Sequence, residues 1–232
     1  MSANIIVSYD GTANEDDAIA LGRLFGNAGA EVSLAYVRHS READSDRENV
    51  AERQAHGLLE GGVELLGNDH AKLHVVTDRS TPDGLAKLAD REGAQVIVFC
   101  SDSHTAKGSV SIGNSAERLL EGGHVAVAIA PVDLAEKVGA GIQRIVAVGD
   151  GEGGARQTAE ALASALGATV EPVANEHTDL LIIDSRPEAE LGRISVSSSA
   201  KHLIEIATSA VLVLPRGGVL QFGRSVAAGL SA

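Results

Sequence analysis

The sequence predicts an α/β protein made of two doubly wound parallel-sheet units in tandem, the second shorter than the first. Three observations carry this expectation. Short β-branched runs alternate with amphipathic helical patterns, the arrangement that yields a parallel sheet with helices on both faces. Aromatic residues make up 2% of the chain and Trp is absent, so the core must be built of Val, Ile, Leu and Ala, as in sheets buried on both sides. The chain also repeats itself. IIVSYDG (5–11) recurs as IVAVGDG (145–151), and SAERLLEGGHVAVAIAP (115–131) recurs as SAKHLIEIATSAVLVLP (199–215).

The first recurrence has an offset of 140 and the second an offset of 84. The 56-residue difference equals a helix, a strand and a helix of the first half. A five-stranded sheet of order 3-2-1-4-5 can lose its third strand, because that strand is an edge. The second unit is therefore expected to lack about one strand and two helices and to keep at most four strands. The units are placed at 1–132 and 143–215, and residues 216–232 form a tail without assignment.

Element by element, strands are expected at 4–10, 31–37, 72–78, 95–100 and 125–131, with helices at about 14–28, 44–66, 82–93 and 114–121. Thr81-Pro82 reads as an N-cap followed by proline in the first helical position, and Gly67 and Gly93 stand where helices should stop. Glu15-Asp16-Asp17 suits a first helical turn, and the charged run 41–53 suits a loop and a solvated helix face. In the second half, ATVEPVA (168–174) contains Pro172 and is followed after about four residues by DLLIIDS (179–185). A parallel crossover usually takes a dozen residues or more. Irregular geometry, with no regular parallel strand, is therefore expected between Gly167 and Asp179.

Composition excludes several functions. A net charge of −13 without clustered Lys or Arg argues against nucleic acid and anionic membrane as partners. One cysteine, no long apolar segment and no leader make the cytoplasm the expected location.

Gly149-x-Gly151-x-x-Gly154 lies between a strand-like and a helix-like run, as in a dinucleotide-binding turn. Its counterpart YDGTANE keeps only the Asp-Gly pair, so the shared feature is Asp10/Asp150 with Gly11/Gly151. A carboxylate there would crowd a pyrophosphate, and the motif reads better as a glycine-rich turn. An aspartate after the first strand stands at the crevice where α/β sheets bind ligands.

The order of elements, Asp-Gly-Thr after the first strand and Gly-Asn-Ser before the last helix together resemble the universal stress protein family, over nearly everything from Asn4 to Pro215. The resemblance implies an ATP or AMP site, with Mg²⁺ accompanying ATP. The family's Gly-2x-Gly-9x-Gly-Ser/Thr frame falls on Cys100, Ser103, Gly113, Asn114 and Ser115, its strand-one aspartate on Asp10 and its adenine contact after strand two on Val37. In the second half the frame falls on Asp184, Pro187, Ser197, Ser198 and Ser199, with Asp150 at the strand-one position, and it reads as vestigial. Ser103, Thr105, Ser109, Ser111 and Ser115 offer hydroxyls to the first site, and Lys107 offers charge. The resemblance also implies that the apolar runs 125–130 and 210–214 pair antiparallel within the chain as an internal pseudo-dimer, leaving room for a further homodimer.

The remaining reactive residues read blandly. The eight histidines show no metal-ligand spacing, and His104 alone lies in the ligand loop. Cys100 reads as a small hydrophobe. With no nucleophile–base pair, the chain is expected to be a binding module with at most weak ATP hydrolysis, or else a ligand-free adaptor with vestigial sites. An adenylate-forming enzyme would need a pyrophosphate loop after strand one, and neither half supplies it.

Overall fold

Strand and helix alternate along the chain in the computed structural model, which describes residues 2–12, 14–39, 44–137, 139, 141–149 and 153–223. The first half runs β1 (Asn4–Ser8), α1 (Glu15–Asn27), β2 (Glu31–Arg38), α2 (Ser45–Leu66), β3 (Leu73–Thr77), α3 (Thr81–Glu92), β4 (Val96–Cys100), α4 (Asn114–Leu120) and β5 (Ala126–Ala130). A linker with a 3-10 turn at Ala135–Lys137 leads to β6 (Arg144–Val148), α5 (Gly154–Leu166), β7 (Thr169–Glu171), β8 (Leu180–Asp184), α6 (Ser198–Glu205) and β9 (Ala210–Leu214).

Among the described residues, the nine strands form one sheet in the order β3-β2-β1-β4-β5-β9-β8-β6-β7. The first five keep the expected 3-2-1-4-5 arrangement, and the last four keep the same order without its third strand. Every pairing is parallel except the seam, where β5 meets β9 antiparallel with Ala128 opposite Leu212. Alternate residues feed two cores. Ile5, Val7 and Leu34 pack under α1 and α2, with α5 covering the same face of the second half. Ile6, Ala35 and Val37 pack with Leu85, Leu88 and Ala116 on the other face. This is period-two alternation in a sheet buried on both sides.

Most helix ends fall where the sequence places them. Gly67, Gly93 and Gly167 cap α2, α3 and α5 in the left-handed conformation. The cap of α3 is corrected by one residue. Ser80 Oγ accepts from Asp83 N, while Thr81 and Pro82 already lie inside the helix. Within the charged run, Glu48 grips the buried Arg38 guanidinium with both oxygens, at 3.0 and 2.8 Å, so this part of α2 is tied to β2.

The expectation of no regular strand between Gly167 and Asp179 fails at residues 169–171, where β7 pairs parallel with β6. Its brevity explains the short connection. β7 ends level with Val146 and β8 begins level with Ile145. The chain then needs to cross only two strand spacings, about 10 Å, within the reach of a short extended segment at about 3.3 Å per residue. It passes the amino end of β6, where the Asp179 carboxylate accepts from the amides of Gln143 and Arg144 at 2.9 and 2.8 Å. Pro172 stands just after the strand, on the sheet edge that tolerates it.

Residues 216–223, unassigned from sequence, form a strap. Leu220 N donates to Thr158 Oγ1 of α5 at 3.0 Å, Gln221 O accepts from Ala3 N at 2.8 Å and Gly223 N donates to Ala28 O at 2.9 Å. The Phe222 ring lies 6.0 Å from that of Phe25. The strap thus ties the second half to the start of β1 and the end of α1.

Candidate functional site

The sheet order reverses between β1 and β4, and such a switch point opens a crevice at the carboxyl ends of the strands. A cavity of about 390 Å³ occupies it, within the size range of small-molecule sites. Six of the seven residues assigned to the first-half site line it: Asp10, Cys100, Ser103, Gly113, Asn114 and Ser115. Val37 does not. It is buried under α3, where a Cβ on Gly84 would come within 3.0 Å of its Cγ1. The sequence reading missed Thr12, Glu15, Thr81, Ser101 and Asp102, which also line the cavity.

The turn after β1 is held from inside. Asp10 Oδ1 accepts from Thr12 N at 3.0 Å, an Asx turn that fixes the aspartate at the cavity mouth. Glu15 folds back beneath it, and its Oε2 accepts from the amides of Asp10 and Gly11. Burial raises the Glu15 carboxyl from an ordinary 4.5 to about 8, assisted by the Asp10 carboxylate and opposed by the two amides. Glu15 therefore does more than suit the helix dipole. It occupies backbone donors of the turn that a bound anion would otherwise use. Burial likewise pushes the Cys100 thiol up to about 12, with the Glu15 and Asp10 charges adding to it.

The loop from Ser101 to Gly113 is stitched by its own side chains. Ser101 Oγ donates to Ala130 O at 2.6 Å and accepts from Ser111 N at 3.1 Å. Ser111 Oγ accepts from Asp102 N at 3.0 Å and pairs with Thr105 Oγ1, and Asp102 Oδ1 accepts from His104 N at 3.1 Å. Two of the hydroxyls expected to face a ligand, those of Thr105 and Ser111, are thus engaged within the loop. Lys107 is held by Asp133 at 2.8 Å, and neither it nor the exposed His104 lines the cavity.

The same stitching recurs in the second half at an offset of 84. Ser185 Oγ donates to Leu214 O at 2.7 Å and accepts from Ser195 N at 3.1 Å. Gly108 N donates to Val132 O and Gly192 N to Arg216 O, both at 2.9 Å, with φ of 76° and 77° that favour glycine at both positions. Across the seam, Val110 N donates to Ala207 O and Ile194 N to Gly123 O, at 3.0 and 2.7 Å. Each half therefore braces the other's loop through symmetry-related bonds. The pairs Ser101/Ser185, Gly108/Gly192 and Ser111/Ser195 are visible in sequence once the two loops are aligned without a gap.

Protein atoms crowd the two described ends of the second-half turn, Gly149 and Gly154. Asp184 Oδ1 accepts from Ala155 N of α5 at 2.8 Å. A Cβ on Gly149 would clash with Asp184 Oδ2, and one on Gly154 with the Gly218 carbonyl oxygen of the strap. These glycines thus admit an internal carboxylate and a strap carbonyl at close range. Asp150 and Gly151 lie outside the described residues. Ser197 caps α6 by accepting from Ala200 N at 3.1 Å, and Ser198 and Ser199 open that helix.

No family model matches the chain, and no curated protein matches it. Among solved structures, a universal stress protein from Archaeoglobus fulgidus DSM 4304 superposes with a TM-score of 0.70 at 14% identity, covering 94% of this chain and 100% of its own. A functionally unknown protein from Pseudomonas aeruginosa PAO1 gives a TM-score of 0.59 at 13% identity, over 93% of each chain. A candidate universal stress protein from Pseudomonas aeruginosa UCBPP-PA14 gives 0.57 at 12% identity, over 93% of this chain and 94% of its own. At these identities the likeness is one of fold. The chain has the universal stress protein fold, present twice in one sheet. Among the described residues no helix is long and apolar enough to cross a membrane.

Proposed function

We propose that this chain is a universal stress protein that works as a cytoplasmic binding module, with units at 1–132 and 143–215 and one ligand site, for an adenine nucleotide, in the first. The observation that carries the reading is the cavity at the β1/β4 switch point, lined by six of the residues on which the family's nucleotide frame falls. The crowding of Gly149 and Gly154 by Asp184 and the Gly218 carbonyl supports a single site. A Cys100 thiol pushed up to about 12 is a poor nucleophile, which supports binding over covalent chemistry, with ATP hydrolysis weak at most. Further association of chains by strand pairing would have to use the edge strands β3 and β7, since β5 and β9 pair with each other.

A specific observation favours a second reading, a ligand-free adaptor. The cavity is lined by Asp10, Glu15 and Asp102, and by no Lys or Arg among the described residues. Thermal-shift titrations with ATP, AMP and NAD, each with Mg²⁺, decide between the two. Ligand at 100 times its dissociation constant stabilises by roughly 2.7 kcal/mol. A shift with an adenine nucleotide that Asp10→Ala abolishes is the expected result, and no shift with any ligand leaves the adaptor.

A further inference from the structure

A second cavity, of about 640 Å³, is lined from both halves across the seam. Leu120, Glu121 and Gly122 at the end of α4 form one side, and residues between Arg186 and Lys201 form the other. It shares no residue with the crevice at the β1/β4 switch point. Three cations line it, Arg186, Arg193 and Lys201, and none of them is in an ion pair among the described residues. Glu121, Glu188 and Glu190 stand in the same lining, also without an ion pair there. The repeat supplies an internal comparison. At the offset of 84 the counterparts of Arg186, Arg193 and Lys201 are Asp102, Ser109 and Glu117, so the loop scaffold common to both halves does not need the cations. Two of them are held in place. Arg186 Nε and Nη2 donate to Ser195 Oγ at 3.1 and 2.6 Å, and Arg193 Nη1 donates to Gly122 O at 3.3 Å. These bonds use part of each guanidinium's donors and lower the entropy that a ligand must spend in ordering the rest.

We infer that this cavity is a second site, for a free chain of linked phosphoryl groups such as pyrophosphate or tripolyphosphate. Guanidinium forks match phosphate oxygens, and the Lys201 ammonium adds a compact point charge. A chain of phosphoryl groups can engage the three cations together, whereas the lone phosphate of AMP meets fewer of them and is opposed by the three glutamates. The site goes beyond the adenine-site reading above and does not depend on it.

Isothermal titration of the full chain with tripolyphosphate, pyrophosphate and orthophosphate in low salt tests the inference. Tripolyphosphate is expected to bind on the order of tenfold more tightly than orthophosphate, with an affinity that falls as salt is raised. The double variant Arg193→Ser/Lys201→Glu, which copies the first half at both positions, should weaken tripolyphosphate binding on the order of tenfold and leave the thermal shift with AMP unchanged. Lys201→Gln, at an exposed position of α6, should give a smaller loss in the same direction and keeps the test valid if the double variant misfolds. No binding of tripolyphosphate, or binding that both variants leave unchanged, overturns the inference. Tighter binding of ATP than of tripolyphosphate to Asp10→Ala overturns the free chain as the ligand. Failure of AMP to bind overturns the adenine reading alone.

Discussion

Glu15 is the residue whose chemistry the fold alters in the most testable way. Its folded-state carboxyl titrates at about 8 against an ordinary 4.5, so the folded state holds this proton more tightly than the unfolded one. The associated stability is fully present below about pH 4.5 and is lost as pH rises through 8, at up to about 1.4 kcal/mol per pH unit between the two values. Glu15→Gln keeps an acceptor for the Asp10 and Gly11 amides. Urea midpoints measured from pH 5 to 9 should fall less steeply in that variant than in the parent, and parallel curves would contradict the assignment. Cys100 gives a kinetic counterpart. With its thiol pushed up to about 12, alkylation of the folded protein at pH 8 should be slower than that of the urea-unfolded chain by at least an order of magnitude. Equal rates would show the thiol to be ordinary. The site residues were legible only in part. Spacing located Asp10, Cys100, Ser103 and Gly113–Ser115 at the cavity, because the loop length is kept. Val37 lies away from the cavity, buried beneath α3 against Gly84, and spacing could not reveal that Glu15 turns inward.

At the scale of elements, α1 to α4 and the first five strands were readable to within one or two residues, since each carries its own periodicity and several carry their own caps. β7 was not, because a three-residue strand has no period and its short return path depends on the register of β6. The strap was not legible either, since PRGGVLQFG has no pattern of its own and its order comes from partners in both halves. Leu220 is 4% exposed and packs within the core beneath the sheet. Leu220→Ala should therefore cost about 2–5 kcal/mol, read from the shift in the urea midpoint. A cost below about 0.5 kcal/mol, ordinary for a surface site, would show that the strap does not hold the halves. The paired loops make a similar point about serine. Ser101 and Ser185 each bind a neighbouring strand carbonyl and a loop amide, so their recurrence at an offset of 84 marks a shared scaffold rather than two ligand sites.

For the whole molecule, the antiparallel seam converts two units into one nine-stranded sheet. β5 is the central strand of the nine and β9 its neighbour across the seam, and all the residues of both are buried. Their amides should exchange with solvent only through global unfolding. Hydrogen-exchange mass spectrometry should find them the slowest in the chain, and earlier exchange at 210–214 than at 4–8 would mean that the second half opens by itself. The central claim is an asymmetry between halves of the same design, one with an open crevice and one in which Asp184 and the Gly218 carbonyl crowd Gly149 and Gly154. The most direct measurement of it is binding stoichiometry by calorimetry with AMP, on the parent chain, Asp10→Ala and Asp184→Ala. The account predicts one site per chain, lost in Asp10→Ala and retained in Asp184→Ala. Two sites in the parent chain, or one site that survives Asp10→Ala, would contradict it.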